Sequence, residues 1–137
     1  MTAVFDTNVF ISAAGTRKGL SWRCFVLFAR RRFQLAITRE ILAEYEKVAE
    51  RLVREPGPYH GMKWRPLFQW LKDKAACFQP APLGKQRSRD ADDDIFLACG
   101  VASRATYIVS HDRDLLALEK PFGIEIVTPA VLLSKFT

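Results

Sequence analysis

The sequence predicts an α/β protein in which helices cover both faces of a parallel sheet. Two observations carry this. Short apolar, β-prone runs alternate with helix-period segments along the whole chain, and such alternation builds parallel sheets through crossover connections. Two of those runs also stop abruptly at an aspartate, at Asp6 and again just before Asp112. In open parallel sheets, ligands gather beyond the carboxyl ends of the strands.

The elements follow in order. Thr2 to Phe5 is a buried strand ending at Asp6. Asn8 to Arg32 has helical periodicity, with Trp22, Phe25, Val26 and Ala29 on one stripe and Gly15 to Gly19 as its break point. Phe33 to Ile37 is a second strand. Thr38 caps a helix that carries Glu40 in its first turn, where the helix dipole favours acid, and runs to about Arg54. Glu55-Pro56-Gly57-Pro58 stops it. Trp64 to Lys74 is helical, Ala75 to Phe78 is a third strand, and Gln79 to Arg89 is a Pro/Gly/basic loop. An apolar helix spans about Asp93 to Ser103. The remaining elements are a fourth strand (Thr106 to Val109), a short helix near Asp114 to Leu118, a fifth strand (Ile124 to Val127) and a closing helix from Pro129.

The 137 residues fit one domain spanning 1–137. With 49% hydrophobic residues and a mean hydropathy of −0.04, the chain has material for a core and neither a membrane nor a disordered composition. No apolar run approaches the roughly 20 residues of a membrane span. The N-terminus lacks the basic-then-apolar pattern of a signal peptide, so a cytoplasmic location is expected. Cys24, Cys77 and Cys99 show no metal spacing and are expected as buried thiols.

The net charge is +6, which suits a polyanionic partner. The placement of the acids is more informative. Eight of the 15 acidic residues fall at Asp6, at Glu44, at Asp90, Asp92, Asp93 and Asp94, and at Asp112 and Asp114. The rest of the chain carries all 21 basic residues against the other 7 acids, so a basic body surrounds concentrated acid. Asp6-Thr7-Asn8 alone is equally a helix-capping sequence. Glu44 falls on the border of the helix stripe Ile41, Tyr45, Val48, Leu52, from which a carboxylate can reach a pocket. The four aspartates at 90–94 exceed what capping needs and repel one another unless a cation offsets them. Asp112 occupies a second strand end, and Asp114 caps the short helix after it. Hard oxygen donors without histidine or cysteine companions favour Mg2+ or Mn2+ over zinc, ions that serve phosphodiester hydrolysis.

These segments resemble the PIN-domain nucleases, in particular the toxins of bacterial and archaeal toxin–antitoxin pairs. The matching pieces are Val4-Phe5-Asp6-Thr7-Asn8-Val9-Phe10, Glu40-Ile41-Leu42-Ala43-Glu44-Tyr45, Arg89 through Ala98, and Ala105 through Leu116. The resemblance implies a three-layer α/β/α sandwich around a central parallel sheet of four or five strands. It also implies Mg2+- or Mn2+-dependent endoribonuclease activity, a cognate antitoxin and a homodimer. Asp6, Glu44 and Asp112 map onto the first, second and fourth metal-binding acids. The third maps to Asp94 or Asp93, with Asp94 preferred because it lies four residues before Ala98, the family's usual spacing. Asn8 and Ser110 map to supporting positions, and His111 stands where relatives often have a small residue.

Arg87 and Arg89 lead into the acid cluster and are candidate RNA phosphate contacts, as are Arg17 and Lys18. Two other readings are open. An aspartate-based phosphatase or phosphotransferase needs a second acid two residues after the nucleophile, which Asp6-Thr7-Asn8 lacks. A degenerate, catalytically inactive PIN-like domain that binds RNA or protein would be expected to have lost acidic positions, and all four are filled.

Overall fold

The computed structural model describes residues 1–136. Five strands, β1 (Thr2–Phe5), β2 (Gln34–Ile37), β3 (Ala76–Cys77), β4 (Tyr107–Val109) and β5 (Glu125–Val127), form one parallel sheet in the order β3-β2-β1-β4-β5. Seven helices flank it: α1 (Thr7–Gly15), α2 (Leu20–Ala29), α3 (Arg39–Arg54), α4 (Arg65–Lys74), α5 (Asp94–Ser103), α6 (Arg113–Leu116) and α7 (Pro129–Ser134). The result is the expected three-layer α/β/α architecture, and the strand count is five.

The order places β1 at the centre. Ala3, Val4 and Phe5 are wholly buried and pair with Tyr107, Ile108 and Val109 on the β4 side. Burial on both faces is why this strand is a continuous apolar run rather than an alternating one. Behind it, α5 packs on β1, β2 and β4. Phe96 through Gly100 are all buried, so α5 is apolar around its circumference because it has almost no solvent face.

The expected break between Gly15 and Gly19 separates α1 from α2. Thr38 caps α3 as expected, its hydroxyl accepting from the Ile41 N–H at 3.1 Å. Two details differ. β3 is two residues rather than four, because it lies at the sheet edge and pairs only with β2. Cys77 lies on that edge and is exposed, whereas Cys24 and Cys99 are buried as expected and burial pushes both thiols up to about 12. Among the described residues, no helix is long and apolar enough to cross a membrane.

Candidate active site

The carboxyl ends of β1 and β4 lie side by side, and the chain leaves each through a short polar segment. Asp6 follows β1 and caps α1, its carboxylate accepting from the Thr7 N–H at 2.7 Å. Ser110 follows β4 and donates to the other carboxylate oxygen, Oδ2, at 2.5 Å. The Ser110 hydroxyl in turn accepts from the Asp112 N–H at 2.9 Å. A fully buried serine thus joins the first and fourth predicted acids through one hydroxyl. Asn8 ties the same two segments together, its Oδ1 accepting from the His111 N–H at 3.3 Å. Asp112, rather than the expected Asp114, caps α6 by accepting from the Asp114 N–H at 2.8 Å, because the helix starts earlier, at Arg113.

Glu44 comes from α3, and the residue after it explains its placement. Tyr45 is wholly buried, stacks on Phe10 with ring centroids 4.7 Å apart, and donates its hydroxyl to the Phe5 carbonyl. This pins α3 to the last residue of β1, immediately before Asp6. Glu44, one residue earlier on the helix, then reaches the same cleft as Asp6. It also pairs loosely with Lys47 at 3.9 Å.

Asp93 and Asp94 part company. Asp94 Oδ1 accepts from the Ser88 N–H at 2.8 Å and the Ser88 hydroxyl at 2.5 Å, and its Oδ2 accepts from the Arg87 N–H at 2.9 Å. Burial opposes its charge, but the bonds from Ser88 and Arg87 outweigh that and hold its pKa below the usual value. Asp94 is therefore spent on the preceding loop and does not line the cleft, contrary to its preferred ranking from sequence. Asp93 does line it. Its Oδ2 is buried with no hydrogen-bond partner. Burial, then the charges of Asp6, Asp112 and Asp90, and a hydrogen bond shared with the Asp112 carboxyl raise its pKa to about 7. Asp6 is also raised, chiefly by burial, with the Ser110 and Thr7 bonds opposing.

Asp6, Glu44, Asp93 and Asp112 thus border one cleft of about 350 Å3, joined by Asp90, Asp92, Thr7 and Asn8. Asp90 and Asp92 were visible in the sequence as part of the acid run but had no assigned task. Asp90 caps the 3-10 turn Ala91–Asp93 by accepting from the Asp92 N–H at 3.0 Å. Thr7 and Ser88 gave no sequence signal. The Thr7 hydroxyl oxygen, like Asp93 Oδ2, is buried without a partner.

The PIN domain family matches residues 2–114 of the chain. The chain belongs to the PIN domain family. PIN domains are generally nucleases that use divalent metal ions, and the site lies where the fold brings the strand ends together. No curated protein matches the sequence. Two solved structures share the fold. PAE2754 from Pyrobaculum aerophilum superposes with a TM-score of 0.65 at 17% identity, over 98% of this chain and 88% of its own. VapBC2 from Rickettsia felis, bound to a DNA fragment from its promoter, gives 0.60 at 14% identity, over 92% and 97%.

For this PIN domain the fit to a divalent cation is one of charge and donor type. Among the described residues, no three ligating side chains already stand together as a finished ligand set. The acids instead surround a shared volume, and Asp93 offers a desolvated oxygen that nothing in the chain satisfies. A buried carboxylate oxygen without a donor, set among like charges, is what a cation relieves.

The remaining predicted residues lie around this centre. Asp114 pairs with the exposed Arg89 at 3.8 Å. Arg87 bonds the Leu83 carbonyl at 3.0 Å and sets its guanidinium 5.1 Å from the Phe122 ring. Arg17 stacks over Trp22 and borders a separate apolar recess with Trp70, while Lys18 is exposed beside it. The structure does not bring Arg17 into the acidic cleft.

Proposed function

We propose that this PIN domain is a Mg2+- or Mn2+-dependent endoribonuclease and the toxin of a toxin–antitoxin pair, acting in the cytoplasm as a homodimer. The observation that carries the nuclease reading is Asp93, whose buried Oδ2 has no partner among the described residues and whose carboxyl faces the charges of Asp6 and Asp112 in one cleft. The set that would hold the ion is Asp6, Glu44, Asp93 and Asp112, with Asp93 taking the place that sequence spacing gave to Asp94. A bound divalent cation supplies charge neutralisation at the scissile phosphate and makes water a stronger acid.

The chain's own groups have separable tasks. Ser110 fixes the Asp6 carboxylate, and the Asp112 N–H fixes Ser110 in turn. Asn8 holds the two strand-end segments in register. Arg89, which also pairs with Asp114, and Arg87 flank the acids as contacts for RNA phosphates, with Lys18 and Arg17 further along the basic surface. The antitoxin partner is supported by the resemblance to toxin sequences and by the shared fold with VapBC2.

The test is cleavage of single-stranded RNA by the full chain in Mn2+ and in EDTA. We expect cleavage only with metal, and a loss of at least about a hundredfold in Asp6→Asn or Asp93→Asn with the thermal unfolding transition preserved. Cleavage in EDTA, or activity undiminished in both variants, would overturn the reading. Binding of RNA without cleavage would assign a non-catalytic PIN domain instead. Transfer of phosphate from a small phosphoester to Asp6 would assign a phosphotransferase.

A further inference from the structure

The cleft also has apolar lining that metal chemistry does not use. Beside the acids its lining is apolar, formed by Ile11 of α1, Val48 and Leu52 of α3, Phe96 of α5, and Tyr59 of the loop between α3 and α4. Val48 and Leu52 belong to the hydrophobic stripe of α3, yet unlike Ile41 and Tyr45 they are only partly buried, because this wall is open to the cleft.

Of the two aromatics, Phe96 is buried in the core and Tyr59 is half-exposed, and the position of Tyr59 is built. The loop is tied back to α3 by the Gly61 N–H on the Val53 carbonyl at 3.0 Å, and closed on itself by the His60 N–H on the Gly57 carbonyl at 3.2 Å. Gly57 and Gly61 have φ of 146° and 71°, values that side chains rarely allow. The Tyr59 ring rests on Gly15 at the end of α1. A Cβ there would lie 2.6 Å from Tyr59 Cε1 and 2.7 Å from Cδ1, so only glycine leaves room for the ring.

Resting on the nuclease reading above, we propose that Tyr59 is a specificity-determining residue that stacks the nucleobase next to the scissile phosphate of a single-stranded RNA. A phosphodiester seated at the acids carries a base on either side, and the apolar lining of the same cleft is the surface suited to a base. Aromatic rings hold single-stranded bases through their π faces with little demand on hydrogen bonding, and unstacked RNA presents such faces.

The experiment uses single-stranded RNA carrying 2-aminopurine at successive positions, bound to the full chain with Asp6→Asn to suppress cleavage. We expect fluorescence quenching at one position beside the scissile site. Tyr59→Ala and Tyr59→Leu should abolish the quenching and weaken binding about tenfold, the size of one lost base–aromatic stack, while Tyr59→Phe keeps both. Gly15→Ala should mimic Tyr59→Ala and add little to it in the double variant. In the cleavage-competent chain, Tyr59→Leu should raise KM and flatten the preference for the flanking base, with much less change in kcat. Thermal melts confirm that each variant compared is folded.

Unchanged quenching in Tyr59→Leu, or equal losses in Tyr59→Phe and Tyr59→Leu, would overturn the stacking role. The two readings fail separately. Metal-dependent cleavage indifferent to Tyr59 removes this inference and leaves the nuclease standing. Tyr59-dependent quenching without any cleavage does the reverse.

Discussion

Between pH 4 and about 7, Asp93 holds in the folded chain a proton that it releases on unfolding, since its pKa is raised from 3.8 to about 7. Where the native state binds more protons than the unfolded one, stability falls as pH rises. Metal-free protein should therefore lose stability from about pH 4 to pH 7, and bear the full cost above that. Asp93→Asn should have a shallower slope, since only the raised Asp6 remains, and be more stable near neutrality, by on the order of 1 kcal/mol after allowance for solvent screening. Denaturant titrations of both chains in EDTA at several pH values check this, and parallel curves would refute it. The neighbouring aspartate behaves oppositely because it has what Asp93 lacks: three hydrogen bonds from Arg87 and Ser88. One residue along a helix start separates an acid with an unsatisfied oxygen from one already satisfied.

At the scale of elements, those three bonds make Asp94 a clamp between the 79–89 loop and the first turn of α5. Asp94→Asn should cost about 1–3 kcal/mol, the range for charged hydrogen bonds that are lost or left unsatisfied, while reducing cleavage far less than Asp93→Asn. Equilibrium unfolding with parallel RNA assays separates the two effects. The pair also marks the limit of what the sequence discloses. The core strands were legible because Thr2–Phe5 and Tyr107–Val109 are apolar runs cut off by polar residues, and the acids after them could be placed from the strand-end rule alone. Glu44 lies at the edge of the α3 stripe, a position that equally suits a solvated glutamate, and only the resemblance singled it out. Asp93 and Asp94 were not separable, because sliding an all-apolar helix by one residue leaves its burial pattern unchanged. The choice was made by Ser88, a loop serine that carries no pattern of its own. Tyr59 was hidden likewise, since a Pro/Gly-rich turn shows where a helix stops but not which side chain the turn presents. β3 came out short because pairing on one side only supports less strand than the apolar run Ala75 to Phe78 suggests.

For the whole molecule, a net charge of +6 coexists with a cleft bordered by six acids: Asp6, Glu44, Asp90, Asp92, Asp93 and Asp112. The basic surface draws in a polyanion, and the cleft repels it until its own charge is offset. A cation bound only by the folded state also stabilises it. At a hundredfold excess over Kd, Mn2+ should add about 2.7 kcal/mol, raising the Tm by on the order of 10 °C, with a much smaller rise in Asp93→Asn. Scanning calorimetry across a Mn2+ series checks this, and equal shifts in both chains would place the ion elsewhere. The central position of β1 has one more consequence, in time rather than in energy. Asp6 is made first, and the serine that fixes it follows 104 residues later. At about 5–20 residues per second, that is an interval of about 5–20 s in which the growing chain has no finished cleft. The cleft therefore has no finished form until β4 has followed β1 by most of a domain's length of synthesis.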